Sequence, residues 1–210
     1  MTLDPVPLDL NAPSIEVAPR LLGALLHGRG VTVRLTEVEA YLGELDPGSH
    51  AFRGQTRRNA VMFGPPGHLY TYFTYGMHVC ANVVCSPEGT ASAVLLRAGE
   101  VIDGLDTARE RRTTSKRDAD LARGPARLCV ALGITLDDDG ADLVAAEFET
   151  GELRLEAPPH PEAVFATGPR TGVSGAGGSD AYPWRFWIPG DPTVSPYKAS
   201  APRVRPGPRW

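Results

Sequence analysis

The sequence predicts an α+β fold: a single domain with a mixed, mostly antiparallel, curved sheet, flanking helices and a protruding β-hairpin. Its length of 210 residues suits one domain with a substantial core. Short alternating or apolar runs, typical of strands, recur along the chain, and two of them flank a Tyr75-Gly76 turn. We divide the chain into an irregular segment at 1–18, the folded domain at 19–200 and a proline- and arginine-rich tail at 201–210.

The first strong strand signal lies at Val31–Leu42. Before it, the apolar stretch Arg20–His27 predicts the end of a helix that stops at Gly28 and Gly30. Alternate side chains of a strand point to one side, about 6.5–7 Å apart. We therefore expect one face that starts apolar and ends acidic, formed by the odd positions Val31, Val33, Leu35, Glu37, Glu39 and Tyr41.

A long loop and a hairpin follow this strand. Residues 43–67 are rich in glycine, proline, arginine and polar groups, and long loops in compact domains are often functional. His68–Thr74 and Met77–Cys85 predict the two strands of the hairpin. Ala91–Ala98 predicts a further strand that carries Arg97 near its end.

The second half of the chain predicts two helices and two late strands. The first helix covers Asp103–Arg112, and the second opens at Gly124-Pro125, because proline suits the first helical position. It runs through Ala131 and stops at Gly133. The late strands are Glu152–Glu156 and Arg185–Ile188, with a glycine-rich loop between them at 168–178.

Composition excludes several classes of protein. No apolar run approaches the roughly 20 residues that a membrane span needs. The first 13 residues lack the basic and apolar regions of a signal peptide. The three cysteines, Cys80, Cys85 and Cys129, have no C-x-x-C spacing, so we expect neither a disulfide framework nor a structural zinc, and we expect a cytoplasmic protein.

The net charge of −4 does not favour nucleic-acid binding, but the distribution of charge matters more than its sum. Basic residues form three groups: Arg53, Arg57 and Arg58; Arg109, Arg111, Arg112, Lys116 and Arg117; and Arg203, Arg205 and Arg209. Either these groups mark a polarised surface that meets an anionic partner, or they are solvated charge without a partner.

Glu39 is the candidate general base. A carboxylate beside aromatic walls loses hydration and becomes more basic, and both Tyr41 on its own face and His50 in the adjoining loop could supply such walls. A solvated residue at the rim of the sheet is the alternative. Glu37 competes for the role, although a salt bridge to a loop arginine suits it better.

The tyrosines of the hairpin are the second candidate group. Tyr70 and Tyr72 share a face of their strand, where packing is the ordinary role for a tyrosine. Tyr75 lies at the turn, where an exposed ring costs solubility unless it inserts into a partner. Insertion of a side chain between stacked bases is a known recognition device.

Two polar residues lie inside apolar strands and need partners there. Arg97 requires an anion or a carbonyl, and Glu39 or Glu37 could pair with it. Asn82 could line a base pocket or bridge backbone groups. His68, His78 and Cys80 lack the spacing of metal ligands, so we expect no metal site.

Several motifs follow one another in order: E-V-E-A-Y-L-G and then a histidine; R-N, M-F and G-H-L-Y-T-Y-F-T-Y-G-M-H-V-C-A-N-V-V; V-L-L-R-A; and G-P-A-R-L-C-V-A-L-G-I. The series resembles the alkyladenine (3-methyladenine) DNA glycosylase family found in mammals and many bacteria. The resemblance covers residues 19–195. It implies excision of alkylated or deaminated purines from duplex DNA by hydrolysis of the N-glycosidic bond.

Matching positions carry the family's roles over. The resemblance implies that Glu39 activates the attacking water and that Arg97 helps to hold it, with backbone assistance at Val173. It implies that Asn82 gates the pocket against the exocyclic amine of guanine. Three residues would sandwich and orient the extruded base: Tyr41, His50 and Tyr72.

The same resemblance implies how the protein meets DNA. Tyr75 would intercalate and fill the gap left in the duplex, with Met77 beside it on the hairpin. Phosphate contacts would come from Arg53, Arg57 and Arg58, with the 109–117 group as a further source. The chain departs from the family in lacking an extended basic N-terminal tail, which leaves lesion selectivity and duplex affinity open.

We therefore expect a monofunctional DNA repair enzyme that needs neither metal nor cofactor. The chain has only two lysines, Lys116 and Lys198, which agrees with direct hydrolysis and not with a Schiff-base step. The expected partner is double-stranded DNA with damaged purines, bound by a monomer, with no membrane involved, in the cytoplasm at a bacterial nucleoid. The alternatives are a non-catalytic binder of damaged DNA and a hydrolase of free nucleosides.

Overall fold

A computed structural model of the protein describes residues 8–74, 76–149, 151–160 and 164–200. Its centre is a nine-stranded sheet in which every pairing between strands is antiparallel. The strands are β1 Leu25–Gly28, β2 Val31–Tyr41, β3 Leu69–Thr74, β4 His78–Val84, β5 Ala93–Asp103, β6 Ala122–Arg123, β7 Arg154–Glu156, β8 Ala166–Gly168 and β9 Arg185–Trp187. The helices are α1 Ser14–Arg20, α2 Leu105–Arg111 and α3 Pro125–Leu132. The predicted α+β class is confirmed.

The two longest strands, β2 and β5, change neighbours along their length. The main path of the sheet is β3-β4-β5-β2-β1-β7. The first part of β2 pairs with β1, and Glu37–Glu39 pair with β9. In the same way, β5 pairs first with β4 and then with β6. The acidic end of β2 therefore lies between β5 and β9, two strands from distant parts of the chain.

An irregularity in the β2–β5 pairing decides where the acidic side chains point. The register shifts on both sides of Glu37. Val33 and Leu35 before the shift and Val38 and Ala40 after it all belong to the main core, so the core-facing positions change from odd to even. The prediction of one continuous face, apolar and then acidic, is therefore wrong. The acidic residues leave the core face because a bulge changes the alternation.

Two apolar clusters hold the sheet. The main one contains residues of β1, β2 and β5 together with the buried faces of α1 and α3. A smaller one lies under the hairpin and contains Ala51, Met62, Tyr70 and Val84. It supports the aromatic side of the hairpin, as Tyr72 packs against it.

Two predictions near the N-terminus are wrong. Ser14–Arg20 forms a helix inside the segment predicted to be irregular, and Leu25–Gly28 is a strand where a helix end was expected. Both depend on distant contacts that local pattern does not carry. The Ser14 N–H donates to Ser92 Oγ, and β1 gains its ladder from β2 and β7.

The other predicted elements are present, with shifted ends, whereas the short strands β6 and β8 were not predicted. The hairpin, both later helices and the Gly133 stop of α3 are confirmed. Strand β5 runs five residues past Ala98, because Gly99 permits close contact with β2: a Cβ there would lie 2.3 Å from Val33 Cγ1. Tyr75 and the tail at 201–210 lie outside the described residues. In the described part, no helix is long and apolar enough to cross a membrane.

Gly104 provides a test of how the β1–β2 turn and α2 fit together. Its φ is +72°, and a Cβ there would lie 2.0 Å from the Gly30 carbonyl oxygen. Gly140 has a similar φ of +87° with open space around it. We expect Gly140→Ala to cost about 1–2 kcal/mol of unfolding free energy, and Gly104→Ala about 1–3 kcal/mol more because of the clash. Urea unfolding measures both, and equal losses would contradict this packing.

Candidate active site

A pocket of about 680 Å³ opens beside the acidic end of β2. It lies between the hairpin, the end of β2, strand β5 and the glycine-rich loop. The structure brings together six of the residues predicted for the site, all in its lining: Tyr41, His50, Tyr72, Asn82, Arg97 and Val173.

Glu39 is fully buried and held by three groups. The Tyr41 hydroxyl donates to Oε2 at 2.9 Å, and the Thr171 backbone N–H donates to Oε1 at 2.7 Å. Arg97 Nη1 lies 3.3 Å from the same Oε1. A carboxylate has about four acceptor positions, so Oε1 is occupied by two donors while Oε2 keeps a free one.

Arg97 joins the two acidic residues of β2. Its Nε donates to Glu37 Oε1 at 2.9 Å, and its Nη1 faces Glu39. Burial by itself would lower the pKa of this guanidinium, but the charges of Glu39 and Glu37 outweigh burial and raise it, so the group stays cationic. Either acid was a possible partner for Arg97, and it pairs with both.

Glu37 has a structural environment. Besides Arg97, it accepts from Arg185 Nε at 2.7 Å, from the Ser195 N–H at 2.6 Å and from Ser195 Oγ at 3.0 Å. Burial would raise the pKa of Glu37, but the charges of Arg97 and Arg185 outweigh burial and hold that pKa below its usual value. This is the ion-paired role expected for Glu37, except that both arginines lie on strands and not in a loop.

Tyr41 acts as a donor to Glu39 at all ordinary pH values. Burial, and then the charge of Glu39, raise the pKa of Tyr41 well above 10. Its hydroxyl therefore keeps its proton. The Arg170 guanidinium lies over the Tyr41 ring, with Cζ 4.5 Å from the ring centroid.

Aromatic rings form the opposite wall of the pocket. The rings of His50 and Tyr72 meet edge to face with centroids 4.6 Å apart, and those of Tyr70 and Tyr72 stack at 5.9 Å. His50 Nδ1 is 3.1 Å from the Tyr70 hydroxyl. Although His50 is exposed as a residue, its ring packs on both tyrosines. That partial burial, and then the charge of Arg58, lower the pKa of His50 below 6.5.

Asn82 fits both of its expected roles. Its side-chain N–H donates to the Tyr70 carbonyl at 3.0 Å, and the residue is buried in the pocket lining. The bond fixes the orientation of the amide within the hairpin. Burial raises the pKa of the neighbouring Cys80 thiol, so this pocket cysteine stays protonated.

The backbone group that reaches Glu39 belongs to Thr171. Val173, the position expected from the resemblance, lies two residues later and lines the pocket. Thr171 shares the lining and directly follows Arg170 in the chain. The sequence offered no periodic signal for Thr171, because it lies in an irregular glycine-rich loop.

Arg170 and Asp46 form a second buried ion pair that the sequence analysis missed. Neither side chain is exposed. Arg170 Nη1 contacts Asp46 Oδ2 at 2.5 Å and Nη2 contacts Oδ1 at 2.6 Å. Nη1 also donates to the Ala40 carbonyl and Nη2 to the Gly177 carbonyl. The role of Asp46 could have been recognised only from the contact between its loop and the loop of Arg170, which lies 124 residues later in the sequence.

The surface around the pocket carries the candidate DNA contacts. Arg53, Arg57 and Arg58 are exposed, and Arg58 Nη2 donates to the Phe73 carbonyl on the hairpin. Met77 is 68% exposed near the tip. An adjoining groove of about 870 Å³ shares His50 and Val173 with the pocket and includes Arg53.

The 109–117 group is mostly committed to internal contacts. Arg109 pairs with Asp106 and Asp118, and Arg117 pairs with Asp120. Arg111 donates to the backbone carbonyls of Ala131 and Arg29, and Arg112 to that of Leu121. Its expected role in phosphate binding is therefore not supported, because nearby acids and carbonyls already use its donors.

The cysteines and acidic groups show no further site in the described residues. All three cysteines are free and buried. Among the residues that the structure describes, no group of three histidine, cysteine, aspartate or glutamate side chains is arranged to hold a metal ion.

Comparison with known proteins matches this chain to one family. The sequence profile of the methylpurine-DNA glycosylase family matches residues 9–192. A relative from Leifsonia xyli subsp. xyli, named provisionally as a 3-methyladenine DNA glycosylase, is 64% identical over 196 residues, 89% of each chain. One from Streptomyces avermitilis with the same name is 56% identical, covering 92% of this chain and 91% of its own. These matches confirm the family resemblance.

The Arg58–His50 pair yields a titration prediction. A positive charge near an imidazole disfavours its protonation, so Arg58→Gln should raise the pKa of His50 toward 6.5. The pKa should remain below that value, because the tyrosine rings still partly bury the imidazole. Proton NMR titration of the His50 ring measures the shift, with Arg57→Gln as the control that leaves it unchanged. An identical His50 titration in parent and Arg58→Gln would contradict the assigned cause.

Proposed function

This chain belongs to the methylpurine-DNA glycosylase family, and we propose that it excises alkylated or deaminated purines from duplex DNA by hydrolysing the N-glycosidic bond. The product is an abasic site. One observation carries the proposal: a buried carboxylate, Glu39, is fixed by three donors and keeps one acceptor position beside an aromatic pocket.

The substrate base reaches this pocket only after leaving the duplex. A base inside the stack cannot contact Glu39, and extrusion costs a few kcal/mol. Tyr75, which follows β3 in the sequence, offsets part of this cost by occupying the vacated space, together with Met77. The exposed arginines Arg53, Arg57 and Arg58 hold the phosphates on either side.

The pocket walls select a flat, electron-poor base. Tyr41, His50 and Tyr72 hold the extruded purine between rings. A purine nucleoside methylated at N3 or N7 is cationic, so its contact with tyrosine faces contributes up to about 2 kcal/mol. Asn82 presents a fixed amide that disfavours the exocyclic amine of guanine.

Hydrolysis then requires one positioned water. The free acceptor position on Glu39 Oε2 takes a proton from water as the water oxygen bonds to the anomeric carbon. The glycosidic bond breaks, and its electron pair leaves with the purine, which alkylation has already made a good leaving group. Arg97 helps to hold the water and places a positive charge beside the carboxylate.

Direct hydrolysis fits the chain better than a covalent Schiff-base route. Lys198 contributes to the pocket lining, so a lysine is present. A lysine nucleophile needs activation by burial in an apolar site or by a neighbouring cation, and Lys198 is exposed. We therefore propose a monofunctional enzyme without a strand-cleaving step.

Substitution of the general base, Glu39, tests the mechanism. Glu39→Gln keeps the size and one carbonyl oxygen but cannot accept the proton, so we expect single-turnover excision to fall by about 10²–10⁴-fold. Duplexes with one hypoxanthine, ethenoadenine or 3-methyladenine serve as substrates, and abasic sites are counted after alkaline cleavage.

Glu44→Gln, an exposed glutamate in the adjoining loop, is the matched control and should excise like the parent. If Glu39→Gln excises at the parental rate, Glu39 is not the general base. A parent protein that binds the lesion duplexes and releases no base would favour the non-catalytic alternative, and release of base from free nucleosides alone would favour the nucleoside hydrolase.

The hairpin tip yields a prediction on affinity. Tyr75→Ser removes the ring proposed to fill the gap, so binding to lesion-containing duplex should weaken by at least about tenfold, in line with 1–3 kcal/mol for a base–aromatic contact. Fluorescence anisotropy measures it. Ile102→Ser, at the far end of β5, removes an exposed apolar side chain and should leave affinity unchanged. If Tyr75→Ser binds the lesion duplex with parental affinity, Tyr75 does not act as the proposed wedge.

A further inference from the structure

The Asp46–Arg170 pair lies beside Glu39 but, in the part of the chain that the structure describes, makes no hydrogen bond or ion pair with it. Three features of Arg170 nevertheless connect it to groups around Glu39. The guanidinium lies over the Tyr41 ring, Nη1 donates to the Ala40 carbonyl at 2.8 Å, and the residue after Arg170 is Thr171. Ala40 is the residue between Glu39 and Tyr41.

Both fixed neutral donors to Glu39 thus depend on the same side chain. The Tyr41 ring contacts the guanidinium on one side, and the Trp184 ring contacts it with a centroid 5.2 Å from Cζ. The Thr171 N–H is one peptide unit from Arg170. A shift of Arg170 would therefore move the hydroxyl on Oε2 and the amide on Oε1 together.

The fit around Arg170 is tight. A Cβ at Gly48 would lie 2.5 Å from Arg170 Nη2 and 2.8 Å from Val173 Cγ1. A Cβ at Gly177 would lie 2.4 Å from the Gly48 nitrogen. Both loops around the guanidinium therefore approach as closely as glycine allows, and Asp46 sets the direction of the fork through two parallel bonds.

Stability alone gives a weak reason for such a pair. Apolar residues of similar volume often replace a buried ion pair without loss of stability, because both charges lose their hydration. Geometric precision at a reacting group is a stronger reason, since misplacement by about 1 Å can cost about 100-fold in rate.

We propose that Asp46 and Arg170 are positioning residues, which hold the Tyr41 hydroxyl and the Thr171 N–H on the Glu39 carboxylate and so aim its free acceptor position at the water. This inference rests on the proposed function. Neither residue belongs to the lining of the pocket.

The test compares rate with affinity in Asp46→Asn. The variant keeps the size of the side chain but loses the charge that fixes the Arg170 fork. We expect the single-turnover rate at saturating enzyme to fall by about 10- to 100-fold. The dissociation constant for duplex with a tetrahydrofuran abasic analogue should change by less than about twofold, because DNA contacts lie elsewhere.

Gly48→Ala provides a second variant that keeps both charges. The added methyl group pushes on the end of Arg170 and should lower the rate in the same way, even where Asp46→Asn folds too poorly to assay. Asp106→Asn is the control, because it removes an exposed aspartate from a pair with Arg109 far from the site and should keep the parental rate.

Hydrogen exchange at the Thr171 amide separates this inference from the proposed function. Protection of that amide should fall in Asp46→Asn and Gly48→Ala while the amides of β5 stay protected. Parental rates in both folded variants would overturn the proposal, as would unchanged Thr171 protection or an affinity loss as large as the rate loss. If the parent excises no base, the proposed function fails, and the Thr171 exchange still decides whether the pair holds this loop.

Discussion

Two carboxylates buried two residues apart on one strand set the conditions for the rest of this structure. Glu37 and Glu39 are both fully buried, and an unpaired buried charge is very costly. Arg97 lies between them and pairs with both. One guanidinium cannot satisfy eight acceptor positions, so further donors must come from elsewhere. The irregular pairing of β2 with β5 around Glu37 makes room for this, because it turns both acids away from the apolar core.

Apart from the Tyr41 hydroxyl on β2 itself, the further donors come from late in the chain, which explains why the fold closes as it does. Arg185 on β9 and Ser195 after it reach Glu37, and Thr171 reaches Glu39. These partners lie 132 to 158 residues from the acids. The short strand β9 pairs with β2 at Glu37–Glu39, beside the charges that it neutralises. The candidate active site is therefore also the place where the two ends of the domain join.

This arrangement explains which features the sequence could reveal. The β2 strand, the hairpin, α2 and α3 have local signals, such as alternation, a tight turn, Pro125 and Gly133, and all were predicted. Six residues that line the pocket were found through motifs in the first half of the domain and through family resemblance. Asp46, Arg170, Thr171, Arg185 and Ser195 were missed because each acts through a partner far away in sequence. Helix α1 and strand β1 were missed for the same reason: tertiary contacts, and not local preference, determine them.

The same contacts separate the roles of two chemically identical side chains. On Glu37, Oε1 faces Arg97, Arg185 and the Ser195 hydroxyl, and Oε2 accepts the Ser195 N–H. Strong positive charge stabilises its ionised form and lowers its pKa, which makes it a poor proton acceptor. Glu39 shares only one guanidinium, at 3.3 Å, and its other donors are neutral. A base needs a free acceptor position and an incomplete counter-charge, and on this strand Glu39 alone has both.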